Sequence, residues 1–210
     1  MTPKSRILLQ FLALLLASAA CLAAQSKNPD DLAPGKILVA TRNLSDPLFA
    51  KSVILLVRYD SAGALGLMLS RQSKVPISNV LRNLPEATAH SDPVFVGGPV
   101  DLGSVFALER GPHQPKGATE VAGDVYFIST KEALEKALDG TSSPATLRVY
   151  VGYSGWGRGQ LDNEVKRGSW YIFNSSDDLA FAEKPESLWS MLIGKAEEQL
   201  VWLGFTPPLP

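Results

Sequence analysis

The sequence predicts an α/β (α+β) protein: one domain with a mixed, partly antiparallel sheet and helices packed outside it. Three observations carry this reading. Short apolar, β-branched runs recur along the chain, segments with apolar residues every three to four positions are interleaved with them, and no repeat or internal linker divides the whole. With 210 residues, 45% of them hydrophobic and 20% charged, the chain is long enough for one real core of roughly 175 residues.

Each element is read from its residues. "KILVAT" from Lys36 is a buried-strand run. "SVILLVRY" from Ser52 and "ALGLMLS" from Ala64 form a hairpin across "DSAG", where Gly63 is free to take positive φ. Pro76 with Ile77, Val80, Leu81 and Leu84 predicts a short amphipathic helix that ends before Pro85. "DPVFVGGPV" is a strand stopped by its glycines, "SVFALER" is another strand, and residues 111–123 read as a loop through Pro112, Pro115 and Gly117. "DVYFIST" passes into the helix "KEALEKALD", with Ser129 and Glu132 spaced as a capping box. "TLRVYVGY" and "SWYIFN" are the last strands, and Leu188, Leu192, Ala196, Leu200 and Leu203 line the last helix after Pro185. Asp46 before Pro47 is a helix-start device.

The N-terminus predicts export. Lys4 and Arg6 precede the apolar run "ILLQFLALLLA", and "SAACLAA" supplies the small residues of a cleavage site. Residues 1–24 are therefore a signal peptide or a lipoprotein signal, with Cys21, the only cysteine, as the candidate lipidation site; an uncleaved anchor is the third fate. Residues 25–35, "QSKNPDDLAPG", read as a linker, and the domain occupies 36–210. Losing Lys4 and Arg6 with the peptide takes the formal charge from −1 to −3. No basic run is present to meet phosphates, so nucleic acid is not an expected partner. Membrane contact is expected only through the N-terminal segment, if it is uncleaved or lipidated.

The chemistry-bearing motif is "VGYSGWGRGQLDNEV" from Val151. A nucleophile elbow fails because Trp156 stands where a second glycine is needed after Ser154, and His90 and His113 both sit in proline-flanked loops. Gly155, Gly157 and Gly159 give G-x-G-x-G, not the dinucleotide spacing, and no P-loop lysine follows. A strand, a glycine-rich turn and a helix nevertheless form a context in which backbone N–H groups favour an anion. The competing reading is scaffold: the glycines shape the backbone, Trp156 is buried, Leu161 and Val165 face the core, Asp162 pairs with Lys166, and Gly168 ends the helix at C′. No Cys pair, His-x-x-x-His or acidic ladder points to a metal, and no cofactor is indicated.

"GKILVATRNLSDPLFAKSVILLVRYDSAGALGLMLSR", "DPVFVGGPVDLGSVFAL" and "VYVGYSGWGRGQLDNEVKRGSWYIF" together resemble, in order and spacing, the YqgE/AlgH family of uncharacterised bacterial proteins. The resemblance runs from Gly35 to about Leu203. Family members usually carry alanine in place of Ser154 and often proline in place of Arg158. Ser70-Arg71-Gln72 and Thr41-Arg42 depart from the family pattern. The resemblance implies a mixed domain built around a barrel-like sheet, no established activity, and, through the AlgH name, a role as a regulator of alginate production. An exported chain does not meet chromosomal DNA, and the periplasm holds little ATP or NAD, which weakens both the regulator and the nucleotide-enzyme readings.

The resulting expectation is a non-catalytic envelope protein, periplasmic or membrane-anchored, that binds a protein or small-molecule partner through the surface of the two glycine motifs. Its candidate residues are Gly97, Gly98, Pro99, Gly152, Tyr153, Gly155, Trp156, Gly157, Arg158, Gly159, Gln160 and Glu164. The alternative is a cytoplasmic regulator or enzyme, as for most relatives, that binds a nucleotide or other anion at the turn before Gln160.

Overall fold

The apolar runs pair into one strongly curled, half-barrel sheet with helices around it, seen in a computed structural model that describes residues 25–139 and 143–202. The strands are β1 (Lys36–Ala40), β2 (Val53–Asp60), β3 (Gly63–Met68), β4 (Gln72–Pro76), β5 (Pro93–Val96), β6 (Val100–Arg110), β7 (Ala118–Ala122), β8 (Val125–Ile128), β9 (Leu147–Gly157) and β10 (Trp170–Asn174). The main path runs β10-β1-β2-β3-β9-β6-β8-β7, with β5 joined to β4 and β9. All pairs are antiparallel except β5 with β9, which pair in parallel at Phe95 with Tyr150 and Val96 with Val151.

The helices are α1 (Ile77–Val80), α2 (Lys131–Asp139), α3 (Gln160–Lys166), α4 (Asp177–Ala180) and α5 (Leu188–Trp202). On α5, Leu188, Leu192 and Ala196 are buried, the face read from the spacing; Ile193 joins them, and Leu203 lies outside the described residues. α5 covers the face of the sheet that carries Ile37, Leu55 and Phe173. The opposite face, with Leu38, Ile54 and Ile172, packs on α3 through Leu161 and Val165. Helix α3 ends in a Schellman motif: Gly168, at φ +79°, donates to the Val165 carbonyl and Ser169 to that of Glu164.

Several expectations are corrected. The stretch read as a loop holds β7, because Ala118–Ala122 finds a partner in β8 despite the flanking turn residues. The helix after Pro76 is one turn; the chain leaves it at Leu81 and forms a 3-10 turn at Pro85–Ala89, where proline is tolerated at the first position. Pro47 opens an isolated turn, with Asp46 Oδ1 accepting from Leu48 N–H at 2.8 Å. The cap of α2 is Thr130, whose hydroxyl accepts from Ala133 N–H at 3.3 Å, so the box is not set by Ser129. Asp162 accepts from the Tyr59 hydroxyl at 2.8 Å, a partner distant in sequence from the expected Lys166. Residues 25–35 also lie on the domain: Ser26 bridges Ile172 in both directions at 2.8 Å, and Leu32 is buried. The export and lipidation motifs, Cys21 included, lie outside the described residues.

Candidate functional site

Most of the opening "glycine-rich turn" is strand. β9 runs unbroken through Gly152, Gly155 and Gly157, and only Arg158 and Gly159 turn the chain into α3. β9 has this length because it serves two sets of neighbours. Its first half pairs with β5 and β6, and its second half pairs with β3. The change of partners falls just past Gly152, between Tyr153, still paired with Val100 of β6, and Ser154, and Gly152 itself has a φ of +65°, in the left-handed region that a side chain disfavours.

The two glycine motifs meet there, backbone against backbone. Gly97 N–H donates to the Val151 carbonyl at 2.9 Å, and the Gly97 carbonyl accepts from Met68 N–H at 2.9 Å and from the Ser154 hydroxyl at 3.1 Å. A Cβ on Gly97 would fall onto the Gly152 carbonyl oxygen, and one on Gly98 onto the Tyr153–Ser154 peptide. Gly155 lies under the Tyr153 ring, which stands edge-on to Phe106 at 5.9 Å. Pro99, Gly157, Arg158 and Gln160 are exposed.

A second group forms around Glu164. Its carboxylate accepts the indole N–H of Trp156 and of Trp170, both at 2.9 Å, and the Gln160 amide at 3.0 Å; Gln160 in turn accepts from Gly157 N–H at 3.2 Å. Phe49 completes the aromatic cluster at 6.0 Å from each indole. Gly159 caps α3 through its left-handed backbone, φ +69°, with no side-chain bond. Gly157 N–H, the Gln160 amide and the Glu164 carboxylate are thus tied to one another.

The cleft lies elsewhere. A cavity of about 380 Å³ opens between β5, the start of β9 and the segment after α4, and none of the candidate glycine-motif residues lines it. Its apolar walls include Ile77, Pro93, Phe95, Leu147 and Phe181, and Arg148 lies among them, only 6% exposed. The Arg148 guanidinium donates to the carbonyls of Ala182 at 2.6 Å, Ala180 at 3.3 Å and, at the limit, Pro144 at 3.5 Å. It lies over the rings of Phe95 at 4.9 Å and Phe181 at 5.4 Å. Among the described residues no carboxylate is within ion-pairing distance of it. Burial pushes its pKa down, and the nearby Arg110 adds to that.

Arg110 shares this face of the sheet and packs on Phe181 at 4.8 Å, with its Nε and one Nη buried and without a hydrogen bond. Its nearest carboxylate, the exposed Asp178, is 3.9 Å away, too far for a hydrogen bond. The fully buried Tyr150 hydroxyl lies close enough to Arg148 to feel its charge, yet has no hydrogen-bond partner of acceptable geometry, and burial raises its pKa. Neither arginine was among the candidates read from the sequence. The available sign was a cation in the middle of the apolar strand "LRVYV", where a buried charge needs a reason.

Other groups with chemical potential are engaged. Ser154 is buried and donates to Gly97. The His90 ring Nε2 contacts the Leu138 carbonyl at 2.8 Å. No cluster of three or more His, Cys, Asp or Glu among the described residues is arranged for a metal, and no described helix is long and apolar enough to cross a membrane.

Comparison with known proteins gives the family and the fold. A family model described as AlgH-like matches residues 37–201. The chain belongs to the AlgH-like family. A UPF0301 protein from Streptomyces avermitilis is 33% identical over 185 residues, covering 84% of this chain and 93% of that protein. A UPF0301 protein from Cytophaga hutchinsonii is 34% identical over 164 residues, covering 77% and 88%. Among solved structures, the AlgH protein from Pseudomonas aeruginosa, studied in solution, aligns with a TM-score of 0.65 at 24% identity, covering 84% of this chain and 95% of its own. A crystal structure from Corynebacterium diphtheriae gives the same TM-score at 22% identity, covering 86% and 90%. These structural matches establish the AlgH-like fold, the curled sheet with its flanking helices.

Proposed function

We propose that this AlgH-like chain is a non-catalytic binding protein of the cell envelope that takes a small ligand into the cleft over Arg148. The observation that carries the reading is a buried guanidinium, without a carboxylate partner among the described residues, in the wall of a 380 Å³ apolar cavity. That volume lies within the usual range of ligand sites, about 300–1,000 Å³. The non-catalytic part rests on Ser154 and His90, each buried and bonded to a backbone carbonyl and so not poised as nucleophile and base. The envelope part rests on the n-region, h-region and small-residue site of residues 1–24.

An anion at the turn before Gln160 draws less support, since that side chain is already bonded to Gly157 and Glu164. A protein partner on the glycine-motif surface keeps one supporting observation. The bulge at 101–104 beside Gly152 holds Asp101 at φ +44° and presents Leu102 at 63% exposure. Burial of Leu102 would be the apolar gain of such a contact.

Location is tested by fusing alkaline phosphatase, active only after export, to the C-terminus of the full chain and, separately, of a chain lacking residues 2–24. Activity that depends on those residues supports the envelope; equal and low activity in both overturns it. Ligand binding is tested by thermal shift of the full chain against a panel of small apolar acids, amides and alcohols. A dose-dependent rise in Tm that Phe95→Ala abolishes supports the cleft, and no rise with any compound overturns it.

A further inference from the structure

We propose that the cleft selects a small monocarboxylate with an apolar body, its carboxylate seated on Arg148; this rests on the cleft reading above. Arginine presents a planar fork of five N–H groups that matches a carboxylate in two-point contact. Here the carbonyls of Ala180 and Ala182 hold the fork in place, and Phe95 and Phe181 pack against its faces. The group is therefore pre-organised, and donors not taken by the carbonyls remain for a ligand. A buried cation is costly unless an anion compensates it, and the carbonyl dipoles supply only part of that compensation. Arg110, on Phe181 and with two nitrogens buried without a hydrogen bond, makes the same region more positive still.

Two further features narrow the class. The walls are mainly apolar, which favours a hydrocarbon or aromatic body behind the charged head. Asp92 and Glu183 also line the cleft, so a second or third negative charge on the ligand would meet carboxylates. Like charges facing the same cavity disfavour phosphorylated or multiply charged ligands.

The test is calorimetric titration of the full-length chain with 4-phenylbutyrate, 4-phenylbutanol and ADP. The acid is expected to bind saturably, the alcohol at least about ten-fold more weakly, and ADP not at all. Arg148→Lys keeps the charge but loses the fork. It is expected to weaken the acid at least about ten-fold and leave the alcohol unchanged, a difference that a purely structural Arg148 would not produce. Where that variant fails to fold, Asp92→Asn with Glu183→Gln replaces it, with affinity for the acid rising about three-fold at low salt and the alcohol unaffected. Equal binding of acid and alcohol overturns carboxylate selection while leaving the cleft a binding site. Tightest binding by ADP overturns the monocarboxylate class. Unchanged acid affinity in the folded variant overturns the assignment to these residues. Absence of saturation with all three overturns both this proposal and the cleft reading.

Discussion

The indole N–H groups of Trp156 and Trp170, on two different strands, end on the same oxygen of Glu164, each at 2.9 Å. The two rings meet edge-on at 6.1 Å. One carboxylate on α3 therefore fixes both aromatic anchors of that face of the sheet. Glu164→Ala leaves the N–H groups of two buried indoles without partners and is expected to cost about 2–4 kcal/mol. Glu164→Gln retains one acceptor oxygen and is expected to cost about 1 kcal/mol. Urea unfolding followed by tryptophan fluorescence measures both; equal and small losses would show that the network is not structural.

The glycines separate into those that must remain glycine and those that need not. Alanine at Gly97 or Gly98 would drive a methyl group into the backbone of β9, with an expected loss of about 2–3 kcal/mol. Gly152→Ala adds a left-handed penalty of about 1–2 kcal/mol to contacts at 2.8 Å with the Gly98 carbonyl and 3.0 Å with that of Val100. Gly157→Ala meets nothing closer than Gln160 at 3.9 Å and is expected to change stability by less than about 0.5 kcal/mol. Denaturant midpoints for the four variants give the order.

Ser154 is dispensable for the fold. Its hydroxyl bonds to the Gly97 carbonyl, but Met68 N–H also satisfies that carbonyl, so Ser154→Ala leaves no orphaned acceptor. The expected cost is below about 1 kcal/mol, with cleft binding unchanged. A large loss of ligand affinity would place Ser154 in the site.

Tyr59 supplies a pH signature. Burial, and secondarily its hydrogen bond to Asp162, push its pKa up to about 12. A folded value above the unfolded one, about 10, means that this contribution to stability is fully present below pH 10 and is lost as pH rises towards 12. Tyrosinate absorbance at 295 nm should show several late-titrating groups, since burial also raises Tyr150 and Tyr171, and the one near pH 12 that belongs to Tyr59 should disappear in Tyr59→Phe. The same variant should flatten the stability loss over that window.

How much of this was legible depended on whether local residues set the outcome. The hairpin across Gly63, the buried face of α5 and the Schellman end of α3 at Gly168 follow from patterns within a few residues, and all three are present. β7 escaped because its strand character comes from pairing with β8 and not from its own composition. The glycine run read as a turn for the same reason: taken alone it is flexible, and pairing with β3, together with Gly97 and Gly98 crossing beneath it, holds it extended.

The sequence by itself determined the family, the apolar strands, the main helices and the glycine positions, because period, capping and turn chemistry act over short range. It left open what those glycines do and what surrounds Arg148. Tertiary structure alone decided both. The partners of Gly152 come from the strand turn at Gly98, and Arg148 is held by carbonyls 32 and 34 residues away. A buried cation acquires its meaning from what surrounds it, and no window of sequence around "LRVYV" contains Phe95, Ala180 or Ala182.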